Sequence, residues 1–142
     1  MSIQNSNAVR LLEQYRNAGI DSVTLTAHVA GISFRGIDKE LQAIRERNFP
    51  VGTFTLIPYR EHNNEYDAFA VRLYLKTNFS DKEVWVGYVP ADRSELVSYV
   101  LDNPDEYSII FMNVQFYGGT PDKPNVGIYY DYVINIFPKE GK

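Results

Sequence analysis

The sequence predicts a mainly β, α+β fold: a small six-stranded antiparallel β-barrel of the OB or SH3-like kind with about three short helices. Aromatic residues make up 14% of the 142 residues, with 11 Tyr and 8 Phe, and such side chains pack well on pleated sheets. Six segments have strand-like patterns, and hairpin-type connections rather than βαβ repeats join most of them. Apolar residues make up 44% of the chain, which predicts a folded core.

The first third of the chain predicts two helices around one strand. Residues 7–18 place apolar side chains at near-helical spacing and are followed by Gly19, a natural helix stop. The segment 21–29, "DSVTLTAHV", alternates apolar and polar residues, as a strand with one buried face does. Residues 37–48, "IDKELQAIRERN", predict a second helix that Pro50 closes.

The middle of the chain predicts three strands. The segment 52–60, "GTFTLIPYR", predicts a strand that ends near Pro58. Residues 68–76, "AFAVRLYLK", alternate cleanly, and the polar segment 77–83 predicts a turn. Residues 84–90, "VWVGYVP", predict a further strand that contains the one tryptophan, which we expect in the core or under a helix.

The last third predicts a helix and a long hairpin. Asp92 lies three residues before Glu95, a spacing that favours a capping pair at the start of a third helix. Residues 107–119 and 128–137 are strand-like, and the Gly- and Pro-rich segment 118–127 joins them.

Composition and charge exclude several classes of protein. The chain has no Cys, so it offers no disulfide framework, thiolate nucleophile or cysteine-bound zinc. The start of the sequence lacks the pattern of a signal peptide, and no apolar stretch approaches the roughly 20 residues that span a bilayer, so we expect a cytoplasmic protein with no membrane partner. Net charge is −4, whereas a non-specific nucleic-acid binder usually has a strongly basic surface.

A polar loop precedes the third predicted strand, in "REHNNEYDAFAVRLYL" (60–75). Turn chemistry alone accounts for Asn63, Asn64 and Asp67, since Asn and Asp bond to their own loop and tolerate a left-handed backbone. A turn does not require Tyr66, however. The alternative hypothesis is a loop that holds a ligand.

Three segments together resemble one family: "VAGISFRG", "REHNNEYDAFAVRL" and "VGYVP" followed by a helix. Their order and spacing are similar to those of the HIRAN domain, a small β-barrel module found alone in bacteria and phages and at the front of eukaryotic DNA-remodelling ATPases. The resemblance covers nearly everything after Asp21. It implies a HIRAN-like barrel domain over 21–142 with a helical extension at 1–20, and a DNA-repair module that binds the 3′ end of single-stranded DNA without catalysis or cofactor.

The resemblance also implies site residues. Asn63, Asn64, Tyr66 and Asp67 match the family's N-N-x-Y-D loop, in which the aspartate would accept a hydrogen bond from the terminal 3′-hydroxyl and the tyrosine would stack on a base. Phe34 falls where an aromatic residue stacks on the neighbouring base.

Other positions match or depart from the family. Gly87 matches a position that carries the backbone past the ligand. The family's phosphate-contacting His is Tyr88 here, and alternation with Val86 favours burial of that side chain at least as much as exposure. Ser33 replaces an Arg, while Arg35, one position beyond the aromatic, is either a phosphate contact or a solvated charge. Phe69 replaces an Asn.

Two further hypotheses stay open at this stage. A protein-interaction module of the same fold, without DNA binding, could form a homo-oligomer through its N-terminal helix or an exposed tyrosine surface. A metal-dependent nuclease would use Glu61, His62, Glu65 and Asp67 as ligands, although the two Glu residues flank the loop much as solvated charges do. We expect no enzyme activity and no metal.

Overall fold

A computed structural model describes residues 7–78 and 80–138, except for the side chain of Phe34. Residues 1–6 of the predicted extension, Phe79 in the predicted turn and residues 139–142 lie outside this description. The described chain forms three α-helices, six strands and one short 3-10 helix at Ile32–Phe34. Their bounds are α1 Asn7–Asn17, β1 Ser22–His28, α2 Asp38–Arg47, β2 Phe54–Arg60, β3 Val71–Thr77, β4 Glu83–Tyr88, α3 Ala91–Asp102, β5 Tyr107–Gly118 and β6 Val126–Ile136.

The strands form two antiparallel three-stranded sheets, in the orders β1-β6-β5 and β2-β3-β4. The mainly β prediction, with six antiparallel strands and three helices, is confirmed, but the ladders do not close a barrel. On one side the sheets meet through a single bridge, in which Ala30 and Tyr88 exchange backbone hydrogen bonds of 2.8 and 2.9 Å. On the other side the hydroxyl of Thr55 in β2 donates to the carbonyl of Phe111 in β5 (3.0 Å).

The second strand is longer than the sequence predicts. It continues past Pro58 to Arg60, where Arg60 pairs with Val71 of β3. Proline lacks the N–H that both sides of a central strand need. However, β2 is an edge strand of its sheet, and the N–H groups on its free side have no neighbouring strand to bond to. The position of the strand in the sheet therefore overrides the proline signal.

The core lies between the two sheets and the helices, and the predicted alternation places it well. In β3 the buried positions are Val71, Leu73 and Leu75, and the intervening residues are partly exposed. In β1 the apolar residues are likewise less exposed than the polar ones. Leu12 of α1 is fully buried in the same core, so the N-terminal helix packs into the common core, beside α3.

The third helix begins differently from the prediction. Pro90, which carries no side-chain acceptor, occupies the N-cap position, and the helix starts at Ala91. The predicted capping pair of Asp92 and Glu95 is therefore wrong. Glu95 instead accepts the backbone N–H of Ala8 in α1 (3.3 Å), which satisfies one of the free donors at the start of that helix.

A bulge in β4 sets the direction of its side chains. Leu73 pairs with Gly87 and Tyr74 pairs with Trp85, so Val86 is an extra residue on β4. Val86 is fully buried, while Trp85 and Tyr88 both lie on the outer face of the sheet.

In the described residues, none of the helices has the length and apolar character needed to cross a membrane.

Candidate nucleic-acid interface

The loop between β2 and β3 is shaped by Asn64. Its side-chain oxygen accepts the backbone N–H groups of Tyr66 and Asp67, both at 2.8 Å, which is the turn chemistry that Asn favours. Its side-chain nitrogen donates to Glu61 Oε2 (3.1 Å). Asn64 thus serves as a structural brace, and its polar atoms face the loop itself.

Asp67 fixes the end of the same loop against α3. Its Oδ1 accepts the N–H of Phe69 (2.8 Å). Its Oδ2 lies 3.0 Å from the hydroxyl of Ser94, which is 1% exposed and shares its one proton between this oxygen and the Ala91 carbonyl (3.1 Å). Each carboxylate oxygen has two lone pairs, so both oxygens keep one for a further donor. The carboxylate is therefore held in one orientation and can still accept a hydrogen bond.

Tyr66 lies at the tip of the loop with 91% of its surface exposed. Asn63, three residues earlier in the loop, is also exposed. A large aromatic ring so fully in solvent contributes little to folding, because the burial that stabilises an aromatic residue is absent. The ring is available to a ligand.

Glu61 is the centre of a hydrogen-bond network. It accepts the Arg72 guanidinium at 2.6 and 3.0 Å, the Tyr88 hydroxyl at 2.7 Å and the Asn64 amide at 3.1 Å. The expectation of a solvated charge is thus wrong for Glu61, whose side chain is 19% exposed. The Arg72 guanidinium, helped by the Tyr88 and Asn64 donors and opposed by partial desolvation, lowers the pKa of Glu61 to about 2.

Tyr88 and Arg72 are affected in turn. Partial burial, and then the bond to Glu61, raise the pKa of the Tyr88 phenol. The Glu61 carboxylate likewise raises the pKa of Arg72. Tyr88 is therefore a neutral donor at physiological pH, and its proton is engaged by a carboxylate of the same chain.

Trp85 is the functional candidate that the sequence reasoning missed. It is half-buried on the outer face, and the guanidinium carbons of Arg35 and Arg72 lie 3.5 and 4.0 Å from its ring centroid. Arg35 also donates to the Trp85 carbonyl (3.3 Å). The expected core position is wrong because it rested on residue type: Trp85 pairs with Tyr74 and lies on the face opposite the buried Val86, where simple alternation also places it.

Trp85 belongs to a continuous series of rings across the outer face, which we call the ring row: Tyr59, Tyr74, Trp85 and Tyr88. Tyr59 meets Tyr74 edge-on with centroids 4.9 Å apart, and Tyr74 lies nearly parallel to Trp85 at 6.4 Å. Trp85 meets Tyr88 edge-on at 5.7 Å. Tyr59 is the most open member, at 46% exposure, and the other three are half-buried.

An open cleft of about 450 Å³ joins the loop to the ring row. Its lining comes from the end of β2, the start of the loop and the outer face of β3. The residues are Tyr59, Arg60, Glu61, His62, Asn63, Arg72 and Tyr74. The cleft therefore brings Asn63, a residue of the sequence-predicted site, next to two rings and two arginines.

The remaining sequence-predicted residues have mixed outcomes. Phe34 ends the 3-10 helix, and its side chain lies outside the described part of the structure. Gly87 makes close contact with the protein itself, since a Cβ there would lie 2.3 Å from the Ala30 carbonyl oxygen. Among residues 7–78 and 80–138, no three His, Asp or Glu side chains are grouped as metal ligands, and this includes the set proposed for a nuclease.

Comparisons with known proteins return one distant structural match. No family model matches the chain, and no curated protein matches it. The chain is similar to the crystal structure of the HIRAN domain of human HLTF, with 17% sequence identity, a TM-score of 0.48, and coverage of 80% of this chain and 79% of that chain. The family named there is the one that the three sequence segments resemble.

Proposed function

We propose that the chain is a nucleic-acid-binding module that recognises the 3′-hydroxyl end of single-stranded DNA and carries out no catalysis. One observation supports this function above the others: a ring that is 91% exposed, Tyr66, directly precedes a carboxylate, Asp67, that is held in place by two protein donors. The loop thus combines a stacking surface with a fixed acceptor.

The carboxylate would select the end of the strand. A 3′-hydroxyl is a donor, and an ionised carboxylate is a strong acceptor for it. A 3′-phosphate would be repelled by the same group. Because Asp67 is already oriented by Phe69 and Ser94, it would lose little freedom when the strand binds.

The rings would supply most of the affinity. Stacking on an aromatic side chain is worth roughly 1–3 kcal/mol per base and tolerates any sequence. Tyr66 is the exposed ring for this role, and Phe34 is the second ring that the resemblance implies. Asn63, three residues before Tyr66 in the same loop, is exposed, and its amide could bond to a base edge.

Fluorescence anisotropy on two oligonucleotides tests the proposal. The chain should bind a labelled single strand with a 3′-hydroxyl more tightly than the same strand with a 3′-phosphate. Asp67→Asn should reduce this preference and leave the melting temperature nearly unchanged, because an amide keeps the acceptor for the Phe69 N–H and can donate to the Ser94 hydroxyl. Asp92→Asn, whose carboxylate is 79% exposed, is the matched control.

Four results would contradict the proposal. Equal affinity for the two ends would remove end recognition, and a large loss of stability in Asp67→Asn would leave that residue a purely structural role. Cleavage of the labelled strand with magnesium or manganese would make the chain a nuclease. Binding to neither strand would favour a protein-interaction module, for which the exposed Ile110 and Met112 on β5 offer an apolar surface.

A further inference from the structure

The outer face of the β2-β3-β4 sheet is not required by the terminal-nucleotide site described above. Its central residues are the ring row and two arginines, on the side of the sheet that faces away from the core. Arg72 is paired with Glu61, whereas Arg35 pairs with no carboxylate of the described residues and stacks on Trp85. Aromatic side chains beside cations on an exposed sheet are the elements from which single-strand binding surfaces are built.

The cleft connects this face to the loop. Asn63, three residues before the exposed ring of Tyr66, is the last loop residue in the cleft lining, and Tyr59 and Tyr74 line the cleft from the sheet. A strand whose last nucleotide rests at Tyr66 and Asp67 would pass Asn63 and then meet these two rings. The volume of the cleft, about 450 Å³, lies in the usual range of small-ligand sites and would admit a base.

We propose that this cleft is a second binding site, which holds one or two further bases of the same single strand, on the 5′ side of the two terminal nucleotides assigned to Tyr66 and Phe34. The proposal rests on the function proposed above. Tyr59 supplies the open stacking surface, Tyr74 forms the wall behind it, and His62 and Asn63 present hydrogen-bonding groups at the rim.

The charges of the cleft favour bases over phosphates. Arg72 and Arg60 are each engaged by a carboxylate, at 2.6 Å from Glu61 and at 3.2 Å from Asp102. A phosphate that entered the cleft would face the Glu61 carboxylate and would have to compete for donors already in use. An uncharged base avoids this cost, so the bases should face the cleft and the phosphates should face water.

The experiment compares Tyr59→Ala with Tyr129→Ala on a short and a long oligonucleotide. Tyr129 is an exposed tyrosine of the other sheet, so its truncation removes similar surface at a distance from the cleft. A dinucleotide fits the terminal site alone, whereas a strand of about eight nucleotides also reaches the cleft. Affinity is measured by anisotropy, and the fluorescence of the single tryptophan, Trp85, reports binding at the ring row.

We expect Tyr59→Ala to change the affinity for the long strand but not the affinity for the dinucleotide. Tyr59→Ala should weaken binding of the long strand at least about fivefold and leave the dinucleotide within about twofold, while Tyr129→Ala changes neither. Tyr59→Phe keeps the ring and should bind the long strand as the wild type does. The wild-type Trp85 fluorescence should change with the long strand and not with the dinucleotide.

Two outcomes overturn only the second site. These are an unchanged affinity of Tyr59→Ala for the long strand, and an equal loss on both oligonucleotides. In either case the preference for a 3′-hydroxyl over a 3′-phosphate can still be intact, and the terminal site then stands. If the wild type binds neither oligonucleotide, the proposed function fails and the second site fails with it.

Discussion

Glu61 shows how one side chain couples folding to pH. Its carboxyl has an ordinary pKa of 4.5, and the contact with Arg72 and two further donors lowers this pKa to about 2 in the folded chain. Above pH 4.5 the carboxylate is ionised in both states, and the full stabilisation is present. As the pH falls from 4.5 to 2, the unfolded chain takes up a proton that the folded chain does not, so stability declines and this contribution is lost below about pH 2.

Glu61→Gln should lower the free energy of unfolding by about 1–2 kcal/mol at neutral pH. The value is below that of the full pKa shift because the pair is open to solvent on one side, where screening weakens it. Urea denaturation followed by circular dichroism gives the difference, which should shrink as the pH is lowered from about 5 to 2. Glu65→Gln, at an exposed position of the same loop, is the control and should change stability by less than about 0.5 kcal/mol. A difference between wild type and Glu61→Gln that stays constant with pH would contradict this explanation.

The residue types of the loop were predictable, but their partners were not. The sequence correctly indicated that Asn64 and Asp67 would bond within their own loop. It gave no sign that Glu61 meets Arg72 and Tyr88, which are 11 and 27 residues away along the chain. A contact between strands depends on register, and local composition carries little information about register.

Among the elements, β4 shows where alternation fails. From the sequence, Val84, Val86 and Tyr88 share one face, and Trp85 lies on the other with Gly87. The bulge inserts Val86 as an extra residue, so Tyr88 returns to the face of Trp85 and the ring row can form. One additional residue therefore decides whether Tyr88 joins Tyr59, Tyr74 and Trp85 on the outer face.

The glycine that follows the bulge is needed for packing. Gly87 has a φ of +158°, and a Cβ there would lie 2.3 Å from the Ala30 carbonyl oxygen and 2.6 Å from Val29 Cγ1. The carbonyl belongs to the bridge by which the two sheets meet, so the contact with it cannot relax without opening that bridge. The role expected from the family resemblance, passage of the backbone past a ligand, is not needed to explain this glycine.

Gly87→Ala should lower the free energy of unfolding by about 3 kcal/mol or more, because the new methyl group forces the Ala30–Tyr88 bridge apart. Gly36→Ala is the matched control, since Gly36 has a φ of +67° but open space where its Cβ would be, and should cost only about 1 kcal/mol. Chemical denaturation of both variants measures the difference. Similar losses in the two variants would show that backbone strain, and not the close approach to Ala30, sets the requirement for glycine.

At the scale of the whole molecule, the sequence was right about the strands and wrong about their closure. Alternation and turn residues identify strands, since both are local properties. Closure depends on whether β2 and β5, more than 40 residues apart, form a ladder. Here they are linked by the Thr55 hydroxyl, which meets the Phe111 carbonyl (3.0 Å), while the ladders themselves stay within two sheets. The N-terminal helix likewise joins the common core through Leu12. Its periodicity predicts an apolar face, but not which part of the molecule that face packs against.

The distribution of charge over the molecule predicts a weak dependence of binding on salt. Net charge is −4, and on the proposed binding face Arg60 and Arg72 are already paired with Asp102 and Glu61. Arg35 and Lys76 are the cations of this face that form no ion pair with a carboxylate of the described residues. With about one or two phosphates neutralised, the slope of log affinity against log salt should be about −1 for a single strand. Anisotropy titrations from about 50 to 500 mM salt should therefore show a loss of roughly tenfold.

Glu61→Gln tests whether the number of unpaired arginines sets the salt slope. Removal of the carboxylate leaves Arg72 without its charged partner, so one more cation becomes available to a phosphate and the salt slope should steepen by about 0.7. Glu65→Gln changes the net charge by the same amount without freeing an arginine, and it should leave the slope unchanged if local pairing rather than total charge governs binding. A wild-type slope steeper than about −3 would mean that the strand is held mainly through its phosphates, on a basic surface other than this face.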